Sequence, residues 1–147
     1  FDGRIWWLDA WAGHISFNEQ LDKVVAKYEE FERKHLAPDK ILIETASTGG
    51  PLAQQIKFLT GLGGKVYGIS VGGRGRTKTE RVMSVAPYFE TVWMSASAVW
   101  KGRALAQILS YPDGKDDILM SAIHALGEMC KPMFKVAPLT IKRVLTY

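Results

Sequence analysis

The hydrophobic pattern of the chain changes period several times. Between residues 18 and 36, apolar side chains recur at helical spacing, with Lys and Glu on the opposite face. This pattern indicates an amphipathic helix, and Pro38 is expected to end it. The next apolar run, from Ile41 to Ile43, is apolar on both faces, which is typical of a central strand covered by helices. That predicted strand closes on an acidic residue, Glu44.

The remaining patterns extend this alternation of strands and helices. They predict strands at residues 4–11, 66–70 and 92–94, and helices at 51–59, 80–86, 98–110 and 116–127. The first strand follows the turn-like pair Asp2 and Gly3, so we expect the chain to open inside a hairpin whose preceding strand is missing. The order predicts an α/β domain over residues 1–127, largely parallel after an antiparallel hairpin. Residues 128–147 are predicted to be a tail or linker.

Length and composition fit one globular domain. The chain has 147 residues, 47% of them hydrophobic and 23% charged, which suffices for a core without disulfides. The single Cys130 excludes an internal disulfide and a zinc site built from paired cysteines, and it favours a reducing, intracellular setting. No apolar stretch approaches the ~20 residues of a membrane span, and no signal peptide is recognisable, so we expect a soluble protein.

A basic, glycine-rich segment lies between residues 72 and 81. The formal net charge of +4 permits a polyanionic partner without requiring one. Glycines let the backbone approach a phosphate, and the cations Arg74, Arg76, Lys78 and Arg81 would then hold a DNA backbone. The alternative is a solvated basic loop. The segment is not a Walker loop, so nucleotide hydrolysis is not supported.

Two acidic sites carry the chemistry that the sequence suggests. Glu44 ends a predicted strand, and Asp116 and Asp117 open a predicted helix. Carboxylates in these positions can converge on one cleft and supply the oxygen ligands that Mg²⁺ or Mn²⁺ prefers. The structural alternatives are that Glu44 caps the following loop or binds a ribose, and that Asp116 is a helix N-cap. For Asp116 the two roles are compatible.

The order of these motifs resembles the nuclease domain of the large terminase subunit of tailed bacteriophages, which has a ribonuclease-H-like fold. The resemblance covers about residues 1–127 and rests on the opening strand and helix, on Ile-Leu-Ile-Glu44 with its small-residue loop, on Arg76-Thr-Lys78-Thr-Glu-Arg81, and on Tyr-Pro-Asp-Gly-Lys-Asp116-Asp117. It implies a mixed sheet flanked by helices. The family's first acidic residue would lie on a strand before this chain begins.

The same resemblance implies the activity and the site. The family cuts concatemeric double-stranded DNA during genome packaging, with two divalent metals, Mg²⁺ or Mn²⁺, held by carboxylates. Glu44 matches the central acidic residue, and Asp116 and Asp117 match the late acidic pair, so all three are expected to be catalytic metal ligands, with Asp117 the first choice as direct ligand. Basic residues of relatives match Lys78 and Arg81. The implied partners are DNA, the portal and the small terminase subunit, in the host cytoplasm and without a membrane.

Three other functions stay open at this point. One is a different ribonuclease-H-like nuclease, such as a junction resolvase, and another is a non-catalytic DNA-gripping or assembly module. A nucleotide-binding α/β domain is a third, although the glycine fingerprint is missing after the first strand. The scattered histidines His14, His35 and His124 are expected to be structural or exposed. The five tryptophans could stack on bases, but core packing is the prediction.

Overall fold

The computed structural model describes residues 4–46, 48–70 and 77–130, together with the backbone of residues 144–146. In these ranges the strands are β1 (Ile5–Trp7), β2 (Lys40–Glu44), β3 (Val66–Ile69), β4 (Val92–Met94) and β5 (Val144–Thr146). The helices are α1 (Phe17–Arg33), α2 (Gly49–Leu59), α3 (Lys78–Val85), α4 (Lys101–Ser110) and α5 (Asp117–Met129). Short 3₁₀ turns lie at Gly63–Lys65 and Ala86–Thr91. The mixed α/β class predicted from the sequence is confirmed.

The described residues divide into two compact units. Residues 4–13 and 77–130 form the first unit, and residues 14–70 and 144–146 form the second. The first unit therefore contains β1, β4 and helices α3 to α5, and the second contains β2, β3, β5 and helices α1 and α2. The nuclease domain predicted over residues 1–127 contributes to both units and stays a prediction.

The second unit is built on a three-stranded parallel sheet with β2 at its centre. The strand order is β3-β2-β5, and both pairings of β2 are parallel. Ile41, Leu42 and Ile43 are at most 2% exposed, which confirms that this run is a central strand. Ile41 and Ile43 share a core with α1 and α2, in which Val24, Tyr28 and Ile56 are also buried. A continuous apolar run of this kind is typical of a strand inside a parallel sheet.

The first unit combines a two-stranded parallel sheet with three helices. Strand β1 pairs with β4 in register from Ile5 and Val92 to Trp7 and Met94. The core forms where α5 packs with α3, and its buried members are Val85, Leu119, Met120, Ile123 and Leu126. Helix α5 holds most of these residues because they recur on one of its faces. Both sheets contain parallel pairings only among the described strands, so the predicted antiparallel hairpin is not among them.

Local interactions explain where the helices begin and end. Ser16 and Glu19 form a capping box that starts α1, and Thr77 and Glu80 form one that starts α3; each box satisfies main-chain donors that lack helical partners. Helix α3 therefore begins before the predicted residue 80. Helix α1 ends at Arg33 rather than at Pro38, because His35 adopts a left-handed conformation with φ of +58° and closes the helix.

Two other predictions need correction. The strand predicted over residues 4–11 is limited to Ile5–Trp7, because only these residues pair with β4. The tryptophans were expected to pack in the core, but Trp6, Trp11 and Trp93 are 55%, 43% and 48% exposed. Trp6 and Trp93 face each other across the β1–β4 pair, with ring centroids 6.0 Å apart. A sheet of only two strands offers too little area for other elements to bury the side chains on both of its faces.

The segment predicted to be a tail contains a strand. Helix α5 continues to Met129, and the backbone of Val144–Thr146 pairs with β2 in parallel from Lys40 to Leu42. Strand β5 thus covers an edge of β2 that would otherwise expose unpaired main-chain groups. No periodic pattern in the sequence announces this strand, since its three residues are too few to show a period.

Candidate active site

Glu44 occupies the predicted position at the carboxyl end of the central strand of the second unit. It is the last residue of β2 and pairs with Ile69 of β3. The next residue, Thr45, extends this edge, because both its N–H group and its hydroxyl donate to the carbonyl oxygen of Ile69, at 2.8 and 3.1 Å. Ligands of parallel sheets bind at the carboxyl ends of strands. Half-buried Glu44 therefore has the position and the donor atoms of a metal ligand.

Two glycines let the chain close around this strand end. A Cβ atom at Gly49, the first residue of α2, would overlap the main-chain oxygen of Glu44. A Cβ at Gly68 of β3 would lie 2.6 Å from the Cγ2 atom of Thr45, which is closer than real contacts allow. Glycine at 49 is thus required by the close approach of α2 to the end of β2, and glycine at 68 by the close approach of β3 to Thr45. Both α2 and β3 therefore pack closely against the end of β2.

Asp116 and Asp117, adjacent in the sequence, have different surroundings in the first unit. Asp116 precedes α5, and its carboxylate forms an ion pair with Lys78, the first residue of α3. The Asp116 side chain is only 15% exposed, whereas that of Lys78 is 50% exposed. The pair therefore neutralises a mostly buried carboxylate. The predicted N-cap position of Asp116 is confirmed, but its side chain accepts no capping hydrogen bond.

Asp117 is exposed and faces a cleft. It is the first residue of α5, and among the described residues its carboxylate has no ion pair. It lines a cavity of about 570 Å³, called here the α4–α5 cleft, with Ala12, Arg103, Gln107, Ser110 and Lys115. The motif resemblance makes Asp117 the first choice as direct ligand, but residue type alone does not distinguish the two neighbouring aspartates. The structure separates them, because Asp116 is committed to an ion pair and Asp117 is accessible to a ligand.

Gln107 supplies the cap that Asp116 does not provide. Its Oε1 atom accepts hydrogen bonds from the main-chain N–H groups of Ile118 at 2.7 Å and Leu119 at 3.1 Å. The first N–H groups of a helix have no intrahelical acceptor, so a buried side chain from α4 takes that role. Gln107 is 8% exposed. The sequence patterns did not single out Gln107; the only signal was a polar residue at a position of α4 that periodicity assigns to the buried face.

Of the four basic residues predicted to bind DNA, the structure describes Lys78 and Arg81. Arg74 and Arg76 lie outside the described residues. Lys78 pairs with Asp116, so one of the cations assigned to DNA holds an acidic residue of the candidate site. Arg81 follows one turn later on α3, and its Nε atom is buried without a hydrogen-bond acceptor among the described residues. The DNA-binding role of these four residues stays a prediction.

The candidate carboxylates of each unit, taken separately, are donors that suit a hard divalent cation. Glu44 and Asp117 offer carboxylate oxygens, which Mg²⁺ and Mn²⁺ prefer, and Asp117 has no competing cation bound to it among the described residues. Groups of three or more His, Cys, Asp or Glu side chains that could hold a metal do not occur within the described part of either unit. Glu44 belongs to the second unit and Asp116 and Asp117 to the first.

The histidines and the single cysteine do not add a ligand group. His35 has the structural role at the end of α1 described above, His14 is exposed, and His124 is half-buried on α5. Cys130 forms no disulfide. Among the described residues, no helix is both long enough and apolar enough to cross a membrane.

Comparisons were made with protein-family models, with curated proteins and with solved structures, and none of them gave a match to this chain.

Proposed function

We propose that this chain belongs to the nuclease part of a phage or prophage large terminase and contributes to Mg²⁺- or Mn²⁺-dependent cleavage of double-stranded DNA during packaging. The proposal includes the ribonuclease-H-like fold, which is a finer assignment than the α/β class described above. It also includes the host cytoplasm as the place of action, and the portal and the small terminase subunit as partners. These elements rest on the resemblance of the sequence motifs.

The observation that carries the proposal is that two adjacent carboxylates, Asp116 and Asp117, have different surroundings. Lys78 neutralises Asp116, whereas Asp117 is exposed on the α4–α5 cleft beside two cations. An exposed carboxylate in a helix's first turn is ordinary on its own, since the helix dipole favours it. Here, however, the neighbouring carboxylate of Asp116 is held and neutralised, and Asp117 lines a cleft of ligand size. These two features together support a site at which Asp117 binds a cation.

The residues have separate tasks in the proposed reaction. Glu44 in the second unit and Asp117 in the first are each proposed to bind metal through carboxylate oxygens, and Asp116 would assist by fixing the start of α5 through its ion pair with Lys78. When bound, divalent ions make the attacking water more acidic and stabilise charge on the leaving oxygen. Gln107 keeps the first turn of α5, and therefore Asp117, in place by accepting two main-chain hydrogen bonds.

The test is metal-dependent nicking of supercoiled plasmid, together with titration of Mn²⁺ into the protein. We expect Glu44→Gln and Asp117→Asn to abolish nicking and to weaken Mn²⁺ binding by tenfold or more, because a lost ligand costs at least the roughly 10–100-fold seen for outer-shell partners. Asp116→Asn is the matched control, one residue away. It should weaken Mn²⁺ binding less than Asp117→Asn does.

Three results would contradict the proposal. The first is nicking that persists in EDTA, and the second is nicking that survives both the Glu44→Gln and the Asp117→Asn changes. The third is the complete absence of nicking by the unaltered chain with Mg²⁺ or Mn²⁺. A preference for four-way junctions over linear duplex would instead support a ribonuclease-H-like nuclease of the resolvase type, because a terminase acts on linear concatemers.

A non-catalytic DNA-gripping module is the second candidate function. The ion pair between Lys78 and Asp116 favours this second function, because the pair gives one of the three candidate carboxylates a structural role. This function predicts DNA binding that is sensitive to salt and needs no divalent metal. Binding with equal affinity in EDTA and in Mn²⁺, without any nicking, would favour the gripping module over the nuclease.

A further inference from the structure

We infer that Arg103, Lys115 and Gln107 make the α4–α5 cleft a binding site for a backbone phosphate of DNA, next to Asp117. The motif resemblance assigns DNA contacts to the segment 74–81, and neither Arg103 nor Lys115 is among those residues. The inference deepens the proposed function, on which it rests for its choice of DNA as the ligand. All residues of the proposed phosphate site belong to the first unit.

Helical spacing brings polar groups of α4 to the cleft. Arg103, Gln107 and Ser110 are separated by four and three residues, so they lie on one face of the helix, and all three line the cavity. Lys115, which precedes α5, and Asp117, its first residue, also line the cavity. The cleft of about 570 Å³ has the size of a small-ligand site, and that size admits a nucleotide unit.

The two cations of the cleft are available to an anion. Arg103 donates one hydrogen bond, from Nη1 to the carbonyl oxygen of Ala12 at 3.2 Å, which anchors the side chain and leaves most of its five N–H donors unused. Lys115 makes no ion pair with a described residue. An anchored guanidinium offers a phosphate two parallel hydrogen bonds, and an ammonium adds a point charge.

Gln107 contributes a neutral donor. The side chain is more than nine-tenths buried, and its Oε1 atom is occupied by the N–H groups of Ile118 and Leu119. Within the described part of the chain, the Nε2 amino group makes no hydrogen bond, although the residue lines the cleft. The Nε2 atom is not one of the fully buried polar atoms without a partner, so it retains access to solvent and can donate a hydrogen bond to a phosphate oxygen.

The net charge of the residues that line the cleft favours an anionic ligand. Arg103 and Lys115 outweigh the single carboxylate of Asp117, so the wall carries a net positive charge before any metal binds. A divalent cation on Asp117 would increase this charge and strengthen the attraction for a phosphodiester. The cleft would thereby place a DNA phosphate beside the proposed metal ligand.

The experiment measures binding of a fluorescein-labelled 20-base-pair duplex by anisotropy, in EDTA and over a series of salt concentrations. The neutral pair Arg103→Gln/Lys115→Gln should bind roughly tenfold more weakly and lower the slope of log affinity against log salt by about 1, as expected for one lost phosphate contact. The matched control Arg33→Gln/Lys57→Gln removes the same charges from exposed positions of α1 and α2 and should change affinity less than twofold.

The charge-retaining pair Arg103→Lys/Lys115→Arg separates charge from folding. It should bind DNA within about threefold of the unaltered chain with nearly the same salt slope. Equal loss in the neutral and charge-retaining pairs would overturn the inference, because the loss would then not follow the charge. An unchanged affinity in the neutral pair, or a loss as large in the matched control, would overturn it as well.

Nicking assays keep this inference distinct from the proposed function. Unchanged DNA binding in Arg103→Gln/Lys115→Gln, with metal-dependent nicking intact, would remove the phosphate site and leave the nuclease standing. Conversely, the expected loss of binding in that variant, with no nicking by the unaltered chain, would overturn the nuclease and support the cleft as a DNA-binding site.

Discussion

The side-chain oxygen of Gln107 lies 2.7 Å from the main-chain nitrogen of Ile118 and accepts its hydrogen bond across 11 residues of sequence. This contact joins α4 to the beginning of α5, where both candidate aspartates lie. A second bond to the same oxygen comes from Leu119. The geometry of the proposed metal ligand Asp117 therefore depends on a residue that is itself no ligand.

We predict that Gln107→Met destabilises the protein by about 1–3 kcal/mol, because it fills the same space but leaves two buried N–H groups without an acceptor. Gln107→Glu keeps the acceptor oxygen near the positive end of the helix dipole, so its loss should be smaller. Urea unfolding of the three proteins checks the order. A Met variant as stable as the unaltered chain would show that the two bonds contribute nothing net.

The ion pair between Lys78 and Asp116 should also contribute to stability. We expect Lys78→Met to cost about 1–2 kcal/mol, since it leaves a carboxylate that is 15% exposed without its cation. Asp117→Asn should change the free energy of unfolding by less than about 1 kcal/mol, because that carboxylate is exposed and loses only its interaction with the helix dipole. A double-mutant cycle of Lys78→Met with Asp116→Asn measures the coupling; a coupling near zero would exclude a stabilising pair.

Gly49 and Gly50 offer a matched comparison at the end of β2. Alanine at Gly49 would overlap the main-chain oxygen of Glu44, whereas a Cβ at Gly50 would lie at 3.6 Å, in ordinary contact, from the oxygen of Thr45. We predict that Gly49→Ala destabilises by about 1–3 kcal/mol or more through overpacking. Gly50→Ala should be neutral or slightly stabilising, because alanine is the better helix former. Thermal unfolding distinguishes them, and equal melting temperatures would refute the steric argument.

His35 should be replaceable by glycine with a gain in stability. Its φ of +58° lies in the region that favours glycine, and it ends α1 through two hydrogen bonds, from its own N–H to Glu32 at 2.9 Å and from Leu36 N–H to Phe31 at 2.8 Å. This is the geometry in which glycine is commonest. We expect His35→Gly to stabilise by about 1 kcal/mol, whereas Lys34→Gly, at a φ of −85°, should destabilise. Chemical denaturation of both variants gives the test.

The carboxylate of Glu30 should make stability depend on pH in the acid range. Hydrogen bonds from Lys27 and then from Lys34, at 2.7 and 2.6 Å, lower the pKa of Glu30 from 4.5 to about 2. Because the folded pKa is the lower one, the stabilisation is complete above pH 4.5 and is lost as the pH falls toward 2.

We expect Glu30→Gln to cost less than about 1 kcal/mol at pH 7, since the side chain is 34% exposed and solvent screens the pair. The difference between the two proteins should vanish near pH 2. Denaturation at pH 7, 4 and 2 measures it, and a difference that stays constant over this range would show that the charge is not responsible.

Strong periodic patterns predicted the secondary structure correctly where the apolar residues of one element mark the face that becomes buried. The apolar run from Ile41 to Ile43 and the stripe of α1 need only local spacing and the requirement that apolar residues leave water. The positions of Glu44 at a strand end and of Asp117 in a first helical turn followed from the same patterns. These predictions were possible because period and capping are properties of neighbouring residues.

Other features required the folded chain. The exposure of Trp6 and Trp93 follows from a two-stranded sheet, and the pairing of β5 with β2 depends on a main-chain edge that the sequence does not encode by period. The same holds for the two aspartates. Their different surroundings come from Lys78, which pairs with Asp116 from a distant part of the sequence, and from the α4–α5 cleft, which Asp117 lines.

Local patterns of residues were sufficient to predict most of the helices, the central strand and the candidate carboxylates, because periodicity and residue chemistry are local. The neutralisation of Asp116 by Lys78, the cleft that Asp117 shares with Arg103 and Lys115, and the cap that Gln107 provides to α5 appear only in the folded chain. Charge neutralisation, burial and hydrogen-bond satisfaction depend on which residues meet when the chain packs.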